Sequence, residues 1–400
     1  MVWYPPRVAI VVQKYGGSSV ADVEKLGRVA DKVVSTKRAG HDVVVVVSAM
    51  GKTTDQLLAL AKQVDETPPR RELDMLLTTG ERVSMALLSM AIQKRGEAAI
   101  SFTGSQSGII TNDRHFDARI IEVRPHRIED ELSRGRIVII AGYQGMSYRR
   151  EITTLGRGGS DTTAIALAAA LGAERAEIYS DVDGVYTADP RVVHDAAHLP
   201  ELGYDAMLEM AEVGAKVLNQ TAVETAKKAG ILIHARSTFA PGRETVVRGG
   251  AGPVRAVVGQ RGVVRVRLAG EPDLRHALAA LGRASVPARD VSLDSGGASL
   301  VIPTQLTPDW PKVEQDIEAG VSAPPRWERE LGAASLVAEG GDRETGASLY
   351  AEAAEALNAA GLRPVGASAA AARLSFLLPE ARLDEAVRTL HARFVRTAGG

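Results

Sequence analysis

Residues 152–163 read Ile-Thr-Thr-Leu-Gly-Arg-Gly-Gly-Ser-Asp-Thr-Thr, and no other stretch constrains the chain as much. An apolar run, 137–141, stands shortly before them, and an alanine-rich run, 162–171, follows directly. A strand, a glycine-rich turn and a helix are expected in that order. Gly156, Gly158 and Gly159 let the backbone turn through positive φ and approach a ligand closely. Ser160 or Asp161 is expected to cap the helix, whose free N–H groups attract an anion. Arg157 stands inside the turn, where a planar guanidinium can grip a carboxylate or phosphate through two bonds. Such a turn suits two anions held side by side, as in phosphoryl transfer to or from an acidic small molecule. It is not a Walker loop, because no Gly-Lys-Ser/Thr closes it, and it lacks the dinucleotide spacing that a dehydrogenase would need.

The chain has 400 residues, room for two or three domains with substantial cores. Its formal net charge is -1, so it carries no basic footprint for nucleic acid. It contains no cysteine, which removes disulfides, thiolate catalysis and cysteine metal sites. The eight histidines lack ligand spacing, and no metal site is expected among the side chains. No apolar run reaches transmembrane length and 1–7 has no signal-peptide pattern, so no membrane contact and a cytoplasmic location are expected.

Over the first 240 residues strand and helix signals alternate. Strands are expected at 8–12, 42–48, 99–102, 136–141, 177–180 and 231–235, and helices at 21–37, 54–64, 73–94, 207–218 and 221–229. The alternation implies an α/β domain, 1–245, with a mostly parallel sheet covered by helices on both faces. Ligands of such sheets gather in the loops at the strand ends. Around 240–253 the composition turns to Gly, Pro and Arg, as in a linker. Beyond it, 255–328 and 329–400 share a βαββα rhythm and are expected to form two small α+β units. The first has helices at 272–282 and 308–318. The second has helices at 346–360 and 382–394, with a short strand near Leu362 between them.

Other loops add to the turn. Lys14 and the backbone of Gly16 and Gly17 could hold phosphate after the first strand, or form an ordinary βα turn. Ser48 ends the second strand, and Thr53 or Thr54, before Asp55, can cap the next helix or touch substrate. Glu81 could bind a substrate ammonium or pair with Arg82. Residues 179–191, with Ser180, Asp181, Tyr186 and Arg191, are rich in turn formers, and Lys216 reads as a lysine on a helix.

Together these segments resemble the aspartate kinases of the amino-acid kinase family. The resemblance spans the first 240 residues in order: 14–20, 46–50, 74–81, 102–106, 154–161 and 179–191. It implies a three-layer α/β/α kinase domain followed by two ACT-type units, and phosphorylation of the L-aspartate side chain by ATP. It further implies that Lys14 stabilises the transferring phosphoryl group, that Arg157 holds the substrate α-carboxylate, and that Glu81 holds its α-amino group. Ser48, Gly158, Gly159, Ser160, Asp161 and Thr53 to Asp55 would orient substrate and phosphates. Gly16, Gly17, Ser180, Asp181, Tyr186, Arg191 and Lys216 would bind ATP, whose own phosphates would hold Mg²⁺. A homodimer or higher oligomer would form through the C-terminal units.

The chain also departs from the family pattern. His115-Phe116-Asp117-Ala118-Arg119 has phenylalanine where close relatives have glycine. In the C-terminal half, the segment 286–290 and the alanines of 367–372 replace the polar residues with which ACT units bind an amino-acid effector. Weakened or lost control by lysine and threonine is expected. A kinase of the same fold acting on another amino acid, and a non-catalytic partner subunit, are the competing readings. Retention of Lys14, Arg157 and Asp161 speaks against the latter.

Overall fold

The computed structural model describes residues 9–395 apart from 241, 253, 306, 308 and 340–346, and leaves the side chains of 339, 347 and 348 aside. Residues 1–8, and positions 308 and 346 where two helices were expected to start, lie outside the described residues. Over the described residues the chain divides into two compact units. One comprises those up to Val185 with His198–Leu208 and Lys216–Gly252, the other Tyr186–Ala197, Glu209–Ala215 and those after Gly252.

The first unit is built on valine-rich strands. β1 is Ile10–Tyr15, β2 Asp42–Val47, β3 Ala99–Phe102, β4 Ile109–Thr111, β5 Ile120–Val123, β6 Ile137–Ala141, β7 Gln144–Ser147, β8 Ile152–Thr154 and β9 Arg175–Ser180. Beyond the short β10 (Val185–Tyr186) and β11 (His198–Leu199) come β12 (Glu201–Gly203), β13 (Leu232–Ser237) and β14 (Glu244–Arg248). The main sheet runs β12-β14-β13-β9-β1-β2-β6-β3. Neighbours in it are parallel except β13 and β14.

Both faces of this sheet are covered. On one, Val43, Val45 and Val47 pack with Val29 and Val33 of α1 (Val23–Arg38) and with Leu88 and Ile92. The intervening Val44 and Val46 are equally buried on the other face, because strand side chains alternate. Each such valine contributes about 1.5–3 kcal/mol by leaving water. Gly142 brings the end of β6 onto α6 (Gly159–Leu171): a Cβ there would lie 2.8 Å from Ser160 Cβ and 2.9 Å from Val46 Cγ1. A second sheet, β5-β4-β7-β8, carries the chain into the glycine-rich turn. Its strands of three or four residues are too short to show alternation, and the sequence did not reveal it.

Helices α2 (Thr53–Val64), α3 (Arg70–Leu77), α4 (Thr79–Gln93), α5 (His126–Ser133), α7 (Tyr204–Glu212) and α8 (Gln220–Ala229) complete the series. The single helix expected over 73–94 is broken at Thr78, whose carbonyl accepts from Gln144 Nε2 at 3.1 Å while its hydroxyl turns back to Met75 O. The stretch Arg70–Gln93 is long and apolar enough to cross a membrane by length and composition, but half of the window is buried and it carries Asp74 and Glu81 inside the fold. The helix expected over 207–218 ends at Glu212. Gly214, at φ 107°, turns the chain, and the N–H of Ala215 closes on Met210 O at 2.9 Å. Lys216 therefore lies in a loop and not on a helix.

The second unit centres on one sheet in the order β16-β17-β15-β18-β20-β19. Here β15 is Val254–Leu268, β16 Arg289–Asp294, β17 Gly297–Pro303, β18 Arg326–Glu339, β19 Gly366–Ala370 and β20 Arg373–Pro379. β15 and β18 are long and run together antiparallel, with register shifts between Gln260, Val263 and Arg265. One half of the sheet packs α9 (Glu271–Ala284) and α10 (Trp310–Glu318) on Val266, Leu300 and Ile302. The other packs α11 (Ala347–Ala359) and α12 (Leu383–Phe394) on Leu336 and Phe376. The strand expected near Leu362 is absent there. Gly361, at φ 69°, ends the helix, Leu362 N bonds Leu357 O, and the strand follows at Gly366.

Candidate active site

The ends of β1, β2, β6 and β8 bring several expected residues of the first unit together. Lys14, at the end of β1, reaches Asp161 in the first turn of α6, with Nζ 2.7 Å from Oδ1. The contact is an ion pair without hydrogen-bond alignment, and both side chains are about nine-tenths buried. Ser48, beyond β2, donates from Oγ to Ser160 Oγ at 3.0 Å. Gly16 N–H bonds Tyr179 O at 3.1 Å. A Cβ on Gly17 would meet Ala49 O at 2.8 Å, so the loops after β1 and β2 touch only because residue 17 has no side chain.

The turn itself has the expected positive φ at Gly156 (70°) and Gly158 (74°), whereas Gly159, expected to share it, is the first residue of α6 and does not. The capping expectation fails. Gly158 is the N-cap of α6, and Ser160 and Asp161 lie within its first turn, free to point toward β1 and β2. Asn219 holds the turn from outside: its Nδ2 donates to Arg157 O at 3.0 Å, and its Oδ1 accepts from Thr162 Oγ1 at 3.2 Å while capping α8. Arg157 projects from this frame with an exposed side chain. Neither Thr53 nor Thr54 caps α2. Lys52 occupies that position and Thr53 Oγ1 bonds Met50 O at 2.6 Å, leaving Thr54 and Asp55 in the first turn.

Glu81, near the start of α4, is 3 % exposed and does not pair with Arg82. Its Oε1 accepts from Ala49 N–H at 3.1 Å, whereas Oε2 is buried without a partner. Burial pushes its carboxyl up to about 7. A buried carboxylate oxygen with no donor is costly, and a cation brought by a ligand would satisfy it.

Sequence reading missed the support beneath these groups. Asp74, on α3, is fully buried. It accepts from Thr154 Oγ1 at 2.5 Å and from Phe116 N–H at 3.1 and 3.2 Å, and it faces His115 Nδ1 at 2.7 Å. Tyr143 packs on Gly159, where a Cβ would lie 3.0 Å from its ring. No local pattern marks either residue, since their partners are distant in sequence. Asn219, directly before a helix, did carry a capping signal.

The remaining expected residues make local contacts of their own. Ser180 forms a local turn in which its Oγ accepts from Val182 N–H at 3.2 Å. Asp181 is exposed, and so is Lys216. Tyr186 and Arg191 belong by contacts to the second unit, where Arg191 pairs with Asp189 at 2.7 Å.

A parallel sheet whose strand ends gather a lysine, two serines, an aspartate and a glycine turn is the frame of a small-molecule phosphotransferase. Residues 9–237 match the Amino acid kinase family. The aspartokinase of Mycolicibacterium smegmatis is 44% identical over 408 residues, 97% of this chain and 96% of the relative. That of Corynebacterium efficiens is 42% identical with the same coverage. Escherichia coli aspartokinase III, solved with aspartate and ADP in its R-state, aligns over 97% of this chain and 100% of that one at 25% identity, with a TM-score of 0.83. The chain belongs to the aspartokinases.

Proposed function

We infer that the chain transfers the terminal phosphoryl group of ATP to the side-chain carboxylate of L-aspartate, giving 4-phospho-L-aspartate. The observation that carries the reading is Glu81: a buried carboxylate with one unpartnered oxygen. Glu81 receives the α-ammonium and Arg157 the α-carboxylate, so an α-amino acid is favoured over a simple dicarboxylate. The attacking carboxylate is already ionised near neutral pH, and no general base is required. The work is alignment of two anions and neutralisation of the charge between them.

Lys14 meets the transferring group, and Asp161 fixes its ammonium. Ser48, Ser160 and the turn at Gly158 and Gly159 orient the acceptor, with Thr53, Thr54 and Asp55 beside it. Gly16, Gly17, Ser180, Asp181, Tyr186, Arg191 and Lys216 serve the nucleotide. Mg²⁺ arrives on the ATP phosphates and adds charge neutralisation. A cytoplasmic location and self-association through the C-terminal units complete the reading.

In the C-terminal half Arg289 stands within 286–290, about nine-tenths buried; its Nε faces Asp290 Oδ2 at 4.0 Å and its Nη2 has no hydrogen-bond partner.

Trapping acyl phosphate with hydroxylamine in the presence of ATP and Mg²⁺ tests the activity. L-Aspartate should give the most product, with L-glutamate and the amine-free succinate far behind. Succinate equal to aspartate would remove the role of Glu81, and glutamate equal to aspartate would remove the substrate assignment.

A further inference from the structure

Six non-glycine residues among those described have positive φ, and two of them flank the glycine turn. Phe116 has φ 73° and Tyr143 φ 68°. A left-handed backbone is unfavourable for a bulky residue, and it persists only where the surroundings fix it. For Phe116 those surroundings are visible. Its N–H points at both oxygens of Asp74, at 3.1 and 3.2 Å. Its own loop then lies on the turn: a Cβ on Gly156 would meet Asp117 Oδ1 at 2.8 Å and Phe116 O at 3.6 Å. The same Asp74 takes the hydroxyl of Thr154, three residues before Arg157, and Thr154 O accepts from Ala118 N–H at 2.8 Å. Through its carbonyl, Asp74 accepts from Thr78 N–H at 3.2 Å, where the chain passes from α3 into the helix of Glu81. Just before β7, Tyr143 O accepts from Leu155 N–H at 2.9 Å, and the Tyr143 ring leans on Gly159.

We propose that Asp74 is a positioning residue for the amino-acid substrate. Its buried carboxylate ties the 115–118 loop to β8, and its main chain leads into the helix of Glu81, so the groups assigned to the two ends of an α-amino acid are held at one spacing. The inference rests on the roles of Glu81 and Arg157 given above. Asp74 is occupied on every side by protein groups, so it acts through the turn and not on the substrate. The strain at Phe116 is the cost of presenting an N–H to it.

The test is steady-state kinetics with aspartate and ATP varied separately, on full-length Asp74→Asn and Thr154→Val. Asparagine offers one acceptor where aspartate offers two. Valine removes a single hydroxyl with little change of shape, and so covers the case in which Asp74→Asn does not fold. The KM for aspartate should rise about tenfold or more in Asp74→Asn, the scale of about one charge-assisted hydrogen bond. It should rise less in Thr154→Val, and the KM for ATP should stay within about twofold in both. A general structural role would move both constants or kcat alone. That pattern, or an unchanged aspartate KM in a folded variant, overturns the proposal. The substrate reading fails by a separate result, a wild-type preference for another acceptor, and the positioning role is then judged on that acceptor's KM.

Discussion

Lys14 and Asp161 face each other across 2.7 Å, one at the end of the central strand β1 and the other in the first turn of α6. The pairing gives the aspartate a defined task. It holds the ammonium in place and at that distance serves no proton transfer from a carboxylate substrate that has no proton to give. It also explains why Ser160 and Asp161 sit inside α6 instead of capping it. A cap would direct its side chain onto the helix's own N–H groups, whereas the left-handed Gly158 takes the capping position and frees both side chains.

Removing charge at this centre should therefore cost rate more than fold. Lys14→Ala and Arg157→Ala are each expected to lower kcat/KM by roughly 10²-fold or more, the scale for one preorganised charge donor. Circular dichroism and melting should remain close to wild type for Arg157→Ala, whose side chain is exposed. Near-normal kcat/KM in either variant would contradict its role.

Glu81 makes substrate binding pH-dependent. Its carboxyl is raised to about 7 by burial, so it is largely protonated at pH 6 in the free protein. Binding an ammonium requires the charged form, and Glu81 must then release its proton. Aspartate KM should accordingly fall as pH rises from 6 to 8, and Glu81→Gln should raise KM and flatten the profile. The sign for folding is opposite: the folded state holds this proton more tightly than the unfolded chain, so its contribution to stability declines as pH rises from about 4.5 through 7. A profile that Glu81→Gln leaves unchanged would assign the titration to another group.

Inhibition by lysine plus threonine should be weak or absent. An effector shifts an equilibrium only by binding one state better than another. Arg289 puts a buried guanidinium within 286–290, while β19 supplies small apolar residues. Titrating both amino acids, singly and together, into the hydroxamate assay checks this. Synergistic inhibition at millimolar levels would show a working effector site.

Much of the architecture was legible in the sequence because it is local. Unbroken valine in β2 marks a strand buried on both faces, and the alternation of strand and helix signals marks a parallel sheet. The glycines of 156–159 mark a turn, and the small side chains of α6 mark a helix packed closely on β1. Lys14, Glu81, Arg157 and Asp161 were readable as candidates because each stands at a strand end, in the turn beyond one or at a helix start. Tertiary structure decided what depends on partners far along the chain. Thr78 breaks a helix because Gln144 takes its carbonyl, and Lys216 leaves one because Gly214 turns it. Lys14 meets Asp161 across 147 residues, and Asp74 gathers Thr154, Phe116 and His115 into one buried node. Periodicity records which way a side chain faces within its own element. Which distant group it finds there, and what strain a backbone such as that of Phe116 bears to reach it, is set only when the elements pack.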